Sequence, residues 1–154
     1  MSNKPALAPG QLFVISGPSG TGKTSLVAAA LERDKQLQLS ISYTTRQPRP
    51  GEIDGQHYHF VNVTQFEEKI HAGDLLEYAK VFDNFYGTSA TAIQAQRNSG
   101  HDVILEIDWQ GAQQIQKNSP HCQSIFILPP SLETLRQRLE ARNTDSQALS
   151  LIHI

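Results

Sequence analysis

The octapeptide Gly17-Pro18-Ser19-Gly20-Thr21-Gly22-Lys23-Thr24 fits the phosphate-loop pattern G-x-x-x-x-G-K-[ST], and it constrains everything around it. Such a loop needs a strand before it and a helix after it. Its glycines let the backbone curl until successive N–H groups point inward at a polyphosphate. The following helix adds the positive end of its dipole, Lys23 reaches the β and γ phosphates, and the Thr24 hydroxyl can ligate magnesium. The flanks comply. Gln11–Ser16 is a short, apolar, β-rich run, and Thr24–Leu31 reads as helix. All eight loop residues are therefore candidate nucleotide-phosphate ligands.

Downstream, Leu37–Tyr43 alternates as a half-buried strand does, and Thr44–Gly55, dense in Pro, Gly and Arg, reads as loop. His57–Val61 resumes strand character. Thr64-Gln65-Phe66-Glu67 has a capping-box signature and opens a short helix with Phe66 and Ile70 on one face, with Gly73 as C-cap. Leu75–Phe82 is strand-like, Asp83-Asn84 a turn, and Ser89 caps a helix running to about Asn98 and closed by Gly100. Val103–Asp108 and Ser124–Leu128 read as buried strands around a helix at Gln110–Lys117. Ser131 caps a last helix with Leu132, Leu135 and Leu139 along one side. Two βα units bracket a strand-rich excursion, which is an α/β parallel sheet with an inserted subdomain.

Composition narrows the class. The chain of 154 residues is 38% hydrophobic and 18% charged, with a formal net charge of −2, so nothing draws it globally to nucleic acid or a membrane surface. No apolar run approaches the roughly 18–20 residues of a membrane span. Cys122 is the single cysteine, which excludes an internal disulfide; just before an apolar strand it reads as a buried, inert thiol. The six histidines show no metal-ligand spacing, and His57 and His59 read as surface. Residues 1–10 read as a flexible leader without an apolar stretch, and the cytoplasm is the expected compartment.

Three further groups carry chemistry. Glu106 and Asp108 lie two apart at the end of a central strand, so period-2 geometry places both carboxylates on one face at the ligand-binding sheet edge. A lone strand-end pair also fits plain surface acids, but beside a phosphate loop at least one such acid is expected to hold magnesium directly or through water. Arg46 and Arg49 lie three apart in a proline-stiffened loop, and each guanidinium can fork onto phosphate oxygens; a second, acceptor-phosphate site explains them better than solvated surface charge. Tyr58 and Tyr86 could add hydroxyls to the same anion, although singly each fits a core or surface role. Arg138 and Arg142 lie four apart on one face of the last helix, opposite its leucines; they suit a closing lid, and spacing alone fits a solvated face equally well.

Together these residues resemble the guanylate kinase family in its free-standing bacterial form. The resemblance runs through Phe13–Thr24, Ser42–Glu52, Gly55–Val61, Leu76–Ala79, Asn84–Thr88, Leu105–Ala112 and Ile125–Pro130, covering about Leu12 to Arg142. It implies a phosphate-loop kinase with a three-layer parallel core (residues 11–37 and 90–130), an inserted mixed α/β GMP-binding subdomain (38–89) and a partial helical lid (131–148). It implies transfer of the ATP γ-phosphoryl group to GMP with Mg²⁺, with ATP and GMP as small-molecule substrates and no nucleic acid or membrane partner. By position, Arg46, Arg49, Tyr58 and Tyr86 hold the GMP phosphate, and Ser42, Glu77 and Thr88 read guanine. Asp108 lies close to the acceptor as part of the GMP site and Glu106 near the metal or its waters, while Lys23 of the phosphate loop and Arg138 and Arg142, which match lid arginines, are the catalytic residues. Two rivals share parts of this pattern, a phosphopeptide-binding scaffold module and a sugar-phosphate kinase; the intact Lys23-Thr24 opposes the first and the guanine-reading set the second. The family is expected to continue beyond this chain with a further lid arginine, an adenine-contacting loop, a last core strand and a C-terminal helix. Residues 149–154 are expected to be a non-native tail, and the chain as given to bind GMP better than it turns it over.

Overall fold

A computed structural model describes residues 8–142. Most of the expected leader, the lid beyond Arg142 and the expected tail lie outside the described residues.

The core is a parallel sheet of four strands in the order β2-β7-β1-β8, formed by β1 (Leu12–Ser16), β2 (Leu37–Leu39), β7 (Asp102–Glu106) and β8 (Gln123–Phe126). Alternation along β1 and β7 sorts the side chains between the two faces. Leu12, Val14, Val103 and Leu105 meet Ile93 of α3 (Ala90–Asn98) and Ala112 and Ile115 of α4 (Trp109–Asn118). Ile15 and Ile104 meet Val27 of α1 (Lys23–Arg33) on the other face. Both faces are covered, as parallel strands require, and three layers result. Register brings Ile15 beside Glu106, so the phosphate loop after β1 and the acid ending β7 open at the same sheet edge.

The inserted sheet runs β4-β3-β6-β5, from β3 (Tyr43–Thr44), β4 (His59–Phe60), β5 (Leu75–Val81) and β6 (Asn84–Ser89). β6 is antiparallel to both β3 and β5, and α2 (Val63–His71) buries Phe66 against it, stacked on Phe85 at 5.3 Å. The remaining helix, α5 (Leu132–Arg142), lies over the phosphate loop.

Several expectations are corrected. Leu37–Tyr43 is not one strand: Leu37–Leu39 pairs with β7, the Ser40 N–H donates to Ile104, and the chain then crosses to the second sheet at Tyr43. His57–Val61 contracts to two residues, because the His57 ring is used by the loop, where its Nδ1 accepts the Ile53 N–H at 2.9 Å. The capping box belongs to Asn62, reciprocally bonded with Gln65, because Asn62 still has extended backbone (φ −81, ψ 169) as it leaves β4. The β5–β6 turn is Phe82-Asp83, with Phe82 at φ 53, and Asn84 already pairs with Val81. Asp108 is not on the strand; its side chain caps α4 by accepting the Gly111 N–H at 2.7 Å. β8 is not buried: Ile125 and Phe126 are 46% and 55% exposed, since β8 is the last strand in its sheet and pairs only with β1 among the described strands. Leu132 is 74% exposed, and Cys122 is half-buried at the margin of the core.

Candidate active site

The two sheets enclose one cleft of about 790 Å³, lined by the phosphate loop, by the arginine loop, by side chains along β5 and β6, by the end of β7 and by two arginines of α5. Gly17 has φ 149, and a Cβ there would lie 2.4 Å from the Ile127 carbonyl oxygen, so only glycine lets the loop pass this close to the chain leaving β8. Gly22 stands in left-handed backbone at φ 93 as the N-cap of α1. Lys23 follows at once. Its ammonium donates to the Gly17 and Pro18 carbonyls at 2.7 and 3.0 Å, and the Thr21 hydroxyl donates to Pro18 at 2.9 Å. Burial lowers the Lys23 pKa; Glu106 and Asp108 oppose that, and Arg142 adds to it. The Thr24 hydroxyl donates to Glu106 Oε1 at 2.6 Å, which joins the two residues expected to face a metal.

The arginine loop is organised by an acid. Arg46 donates through Nη1 and Nη2 to both oxygens of Glu52, at 3.0 and 2.9 Å, and the Glu52 carboxylate also accepts the Arg49 N–H at 2.7 Å. The hydrogen bond from Arg46 holds the Glu52 carboxyl below the usual carboxylate range. The guanidinium carbon also lies 5.5 Å from the Tyr58 ring centre and 5.9 Å from that of Phe60, and Tyr58 meets Tyr86 edge-on at 6.1 Å. Burial raises the Tyr58 pKa, which keeps its hydroxyl a donor. Glu52 was missed as a working residue by sequence reasoning. An acid three residues past Arg49 in a stiff loop was the available signal.

Glu77 points into the cleft yet is only 6% exposed, and the Thr88 hydroxyl donates to its Oε1 at 2.7 Å. Burial pushes its pKa up to about 7, with Asp108 adding to the rise and the Thr88 hydrogen bond opposing it. Ser42, Arg46, Arg49, Tyr58, Tyr86 and Asp108 all line the cleft with Glu77. Thr88 does not. It is fully buried behind Glu77, so it meets the cleft only through that carboxylate. Gly111 was also missed, and a Cβ on it would stand 3.0 Å from Glu77 Oε2.

The last helix is used differently from expectation. Leu135 is buried, Leu139 Cδ2 lies 3.3 Å from where a Gly20 Cβ would be, Arg138 donates to the Gly20 carbonyl at 3.3 Å, and Arg142 donates to Ser19 Oγ at 3.0 Å. Positions 135, 138, 139 and 142 follow the helical repeat, so arginines and leucines share the face on the loop instead of opposing each other.

A family model described as guanylate kinase matches residues 10–151. The chain belongs to the guanylate kinase family. A guanylate kinase of Hahella chejuensis is 60% identical over 140 residues, 91% of this chain and 67% of that protein. Another from Idiomarina loihiensis is 51% identical over 148 residues, 95% of this chain and 70% of that protein. The crystal structure of guanylate kinase from Anaplasma phagocytophilum superposes with a TM-score of 0.70 at 34% identity, covering 95% of this chain and 72% of that one. The chain thus spans about two thirds of the length of its relatives. These matches support guanylate kinase function, and place the chain among nucleoside monophosphate kinases. The phosphopeptide and sugar-phosphate alternatives gain nothing from them. Among the described residues no helix is long and apolar enough to cross a membrane.

Proposed function

We propose that the chain's active site transfers the γ-phosphoryl group of ATP to the 5′-phosphate of GMP, giving ADP and GDP. The observation that carries this reading is a single cleft lined both by a phosphate loop and by a second anion cradle of arginines and tyrosines. Donor and acceptor phosphates held face to face remove most of the entropic cost of the encounter. In this reading the loop N–H groups and Lys23 hold the β and γ phosphates, while Arg46, Arg49, Tyr58 and Tyr86 hold the acceptor phosphate. The ionised Glu77 carboxylate accepts from guanine N1–H and the 2-amino group, and the Ser42 hydroxyl donates to O6. Thr88 steadies Glu77. Adenine presents the opposite pattern and leaves buried groups unpaired, so it is rejected. Asp108 borders the acceptor side of the cleft. Arg138 and Arg142, already docked on the loop, turn onto the transferring group as its charge spreads.

Magnesium fits the donors present. Thr24 and Glu106 offer hard oxygens 2.6 Å apart, and no cluster of three acids, histidines or cysteines occurs among the described residues. That suits an ion which keeps waters and takes its other ligands from substrate phosphates. When bound, it neutralises charge on the β and γ oxygens. Thr24 would hold it directly, and Glu106 through water. The cytoplasm, where a lone unpaired Cys122 stays reduced, is the proposed compartment.

The test compares GMP, AMP and ribose 5-phosphate as acceptors for ATP with magnesium, in this chain and in one extended by the further residues its relatives carry. ADP formation with GMP alone is the expected result in the extended chain, while the chain as given should bind GMP better than it turns it over. Comparable turnover of ribose 5-phosphate overturns guanine recognition, and no turnover in the extended chain overturns the kinase reading.

A further inference from the structure

One face of α4 is spent on an edge strand. Gly111, Gln114 and Asn118 are three and four residues apart, so they share that face. Gln114 acts as a surrogate strand residue: its Oε1 accepts the Tyr78 N–H at 3.2 Å, and its Nε2 donates to the Tyr78 carbonyl at 3.1 Å. One turn further on, Asn118 Nδ2 donates to the Leu76 carbonyl at 3.0 Å. Gly111 leaves room for Glu77 Oε2, which lies 3.0 Å from where its Cβ would be. Residue 77 is therefore held through its neighbour on either side, and its carboxylate rests on the helix.

The strand needs this support. β5 is the last strand of its sheet, and its ladder with β6 slips between Leu75 and Glu77. Such an irregularity re-aims a side chain, but it surrenders ladder bonds that would otherwise hold the new aim. A glutamine amide sets an N–H donor beside a carbonyl acceptor, as a strand residue does, so it restores a ladder pair on the open edge. All three contacts fall within two residues of the slip. We infer that the Gly111–Gln114–Asn118 face of α4 is a positioning element for base recognition, clamping β5 so that the Glu77 carboxylate stays aimed into the cleft.

This rests on the reading of Glu77 as the guanine acceptor, and the experiment separates the two. Calorimetry would measure binding of GMP, of IMP, which lacks the 2-amino group, and of ribose 5-phosphate, which lacks the base. In a Gln114→Ala/Asn118→Ala variant the preference for GMP over IMP should fall about tenfold, with ribose 5-phosphate affinity unchanged within about twofold. An unaltered preference overturns the clamp. Glu77→Gln is the control for the underlying reading: if it too leaves the preference intact, guanine is not read by Glu77. If Glu77→Gln abolishes the preference and the α4 variant does not, only the clamp is wrong. A ligand-free readout is the Glu77 carboxyl titration followed by ¹³C NMR. Released from the helix, the side chain regains water, so its pKa should move from about 7 toward the ordinary carboxylate range. A titration that stays in place also overturns the clamp.

Discussion

The two anion cradles proposed for the cleft are made of different material. The phosphate loop is backbone, with Gly17, Gly20 and Gly22 at φ 149, 83 and 93 and Lys23 as its charged side chain. The opposite cradle is all side chain: Arg46 and Arg49 from one loop, Tyr58 from beside β4 and Tyr86 from β6. A backbone cradle has its geometry set by local dihedrals. A side-chain cradle must restrain long rotamers, at up to about 2 kcal/mol for each arginine, and so needs supports such as the Glu52 fork and the Tyr58 ring. Damage to the first should therefore abolish chemistry, whereas damage to the second should grade affinity and selectivity.

The largest effect should come from Lys23→Ala in the extended chain, which on the proposed reading removes a charged donor from the transferring group. kcat/KM should fall by roughly 10²-fold or more, while GMP affinity measured by calorimetry stays put. Equal losses in both would show that the cradles are not separable.

Next comes Glu77→Gln, which turns an acceptor toward guanine donors into a donor. GMP-over-AMP selectivity should drop by about 2–4 kcal/mol in competition assays. The same variant has a pH signature. The folded state holds the Glu77 proton up to about pH 7, whereas the unfolded carboxyl loses it near the ordinary value of 4.5. The native state binds more protons in that window, so the wild type loses stability as pH rises through it, by up to about 3 kcal/mol at 1.4 per pH unit. Glu77→Gln should lack this loss in urea titrations between pH 4.5 and 8, and it should also lack the rise in GMP affinity as the carboxylate ionises. A flat wild-type profile would contradict the burial argument.

Arg46→Lys keeps the charge and loses the fork, so GMP affinity should fall by about 1–2 kcal/mol, with binding of an ATP analogue little changed. Unchanged GMP affinity would mean that charge alone matters in the side-chain cradle. The smallest effect is expected at Gly22, where a Cβ meets nothing within 4 Å and φ alone objects. Gly22→Ala should cost about 1 kcal/mol in urea unfolding. A much larger loss would reveal crowding that the backbone cradle does not show.

These differences also explain what was legible in the sequence. The backbone cradle is eight consecutive residues, so its pattern and position were plain. Arg46 and Arg49 were joined by their shared loop and Tyr58 and Tyr86 could be offered to the same anion, but Glu77 entered the site only through family resemblance, because spacing does not reveal that separate strands converge. Asp108 was misplaced because an acid two beyond Glu106 continues a strand pattern as well as it caps a helix. Asn62 and Thr64 each stand three residues before a Gln or Glu, and only the extended backbone leaving β4 decides between them. The alternation of Leu37–Tyr43 persists while the chain changes sheets, since alternation is local and pairing is not. Ser124–Leu128 looked buried because an apolar run does not reveal how many neighbours a strand has.

The contacts of Lys23, Arg138 and Arg142 have a further consequence. All three cations rest on oxygens of the loop they are expected to serve: the Gly17, Pro18 and Gly20 carbonyls and the Ser19 hydroxyl. Nucleotide capture is then an exchange reaction, in which each phosphate oxygen takes over a donor that already has a partner and hands a loop oxygen back to solvent. The heat released on binding should be smaller than the tally of new phosphate contacts suggests.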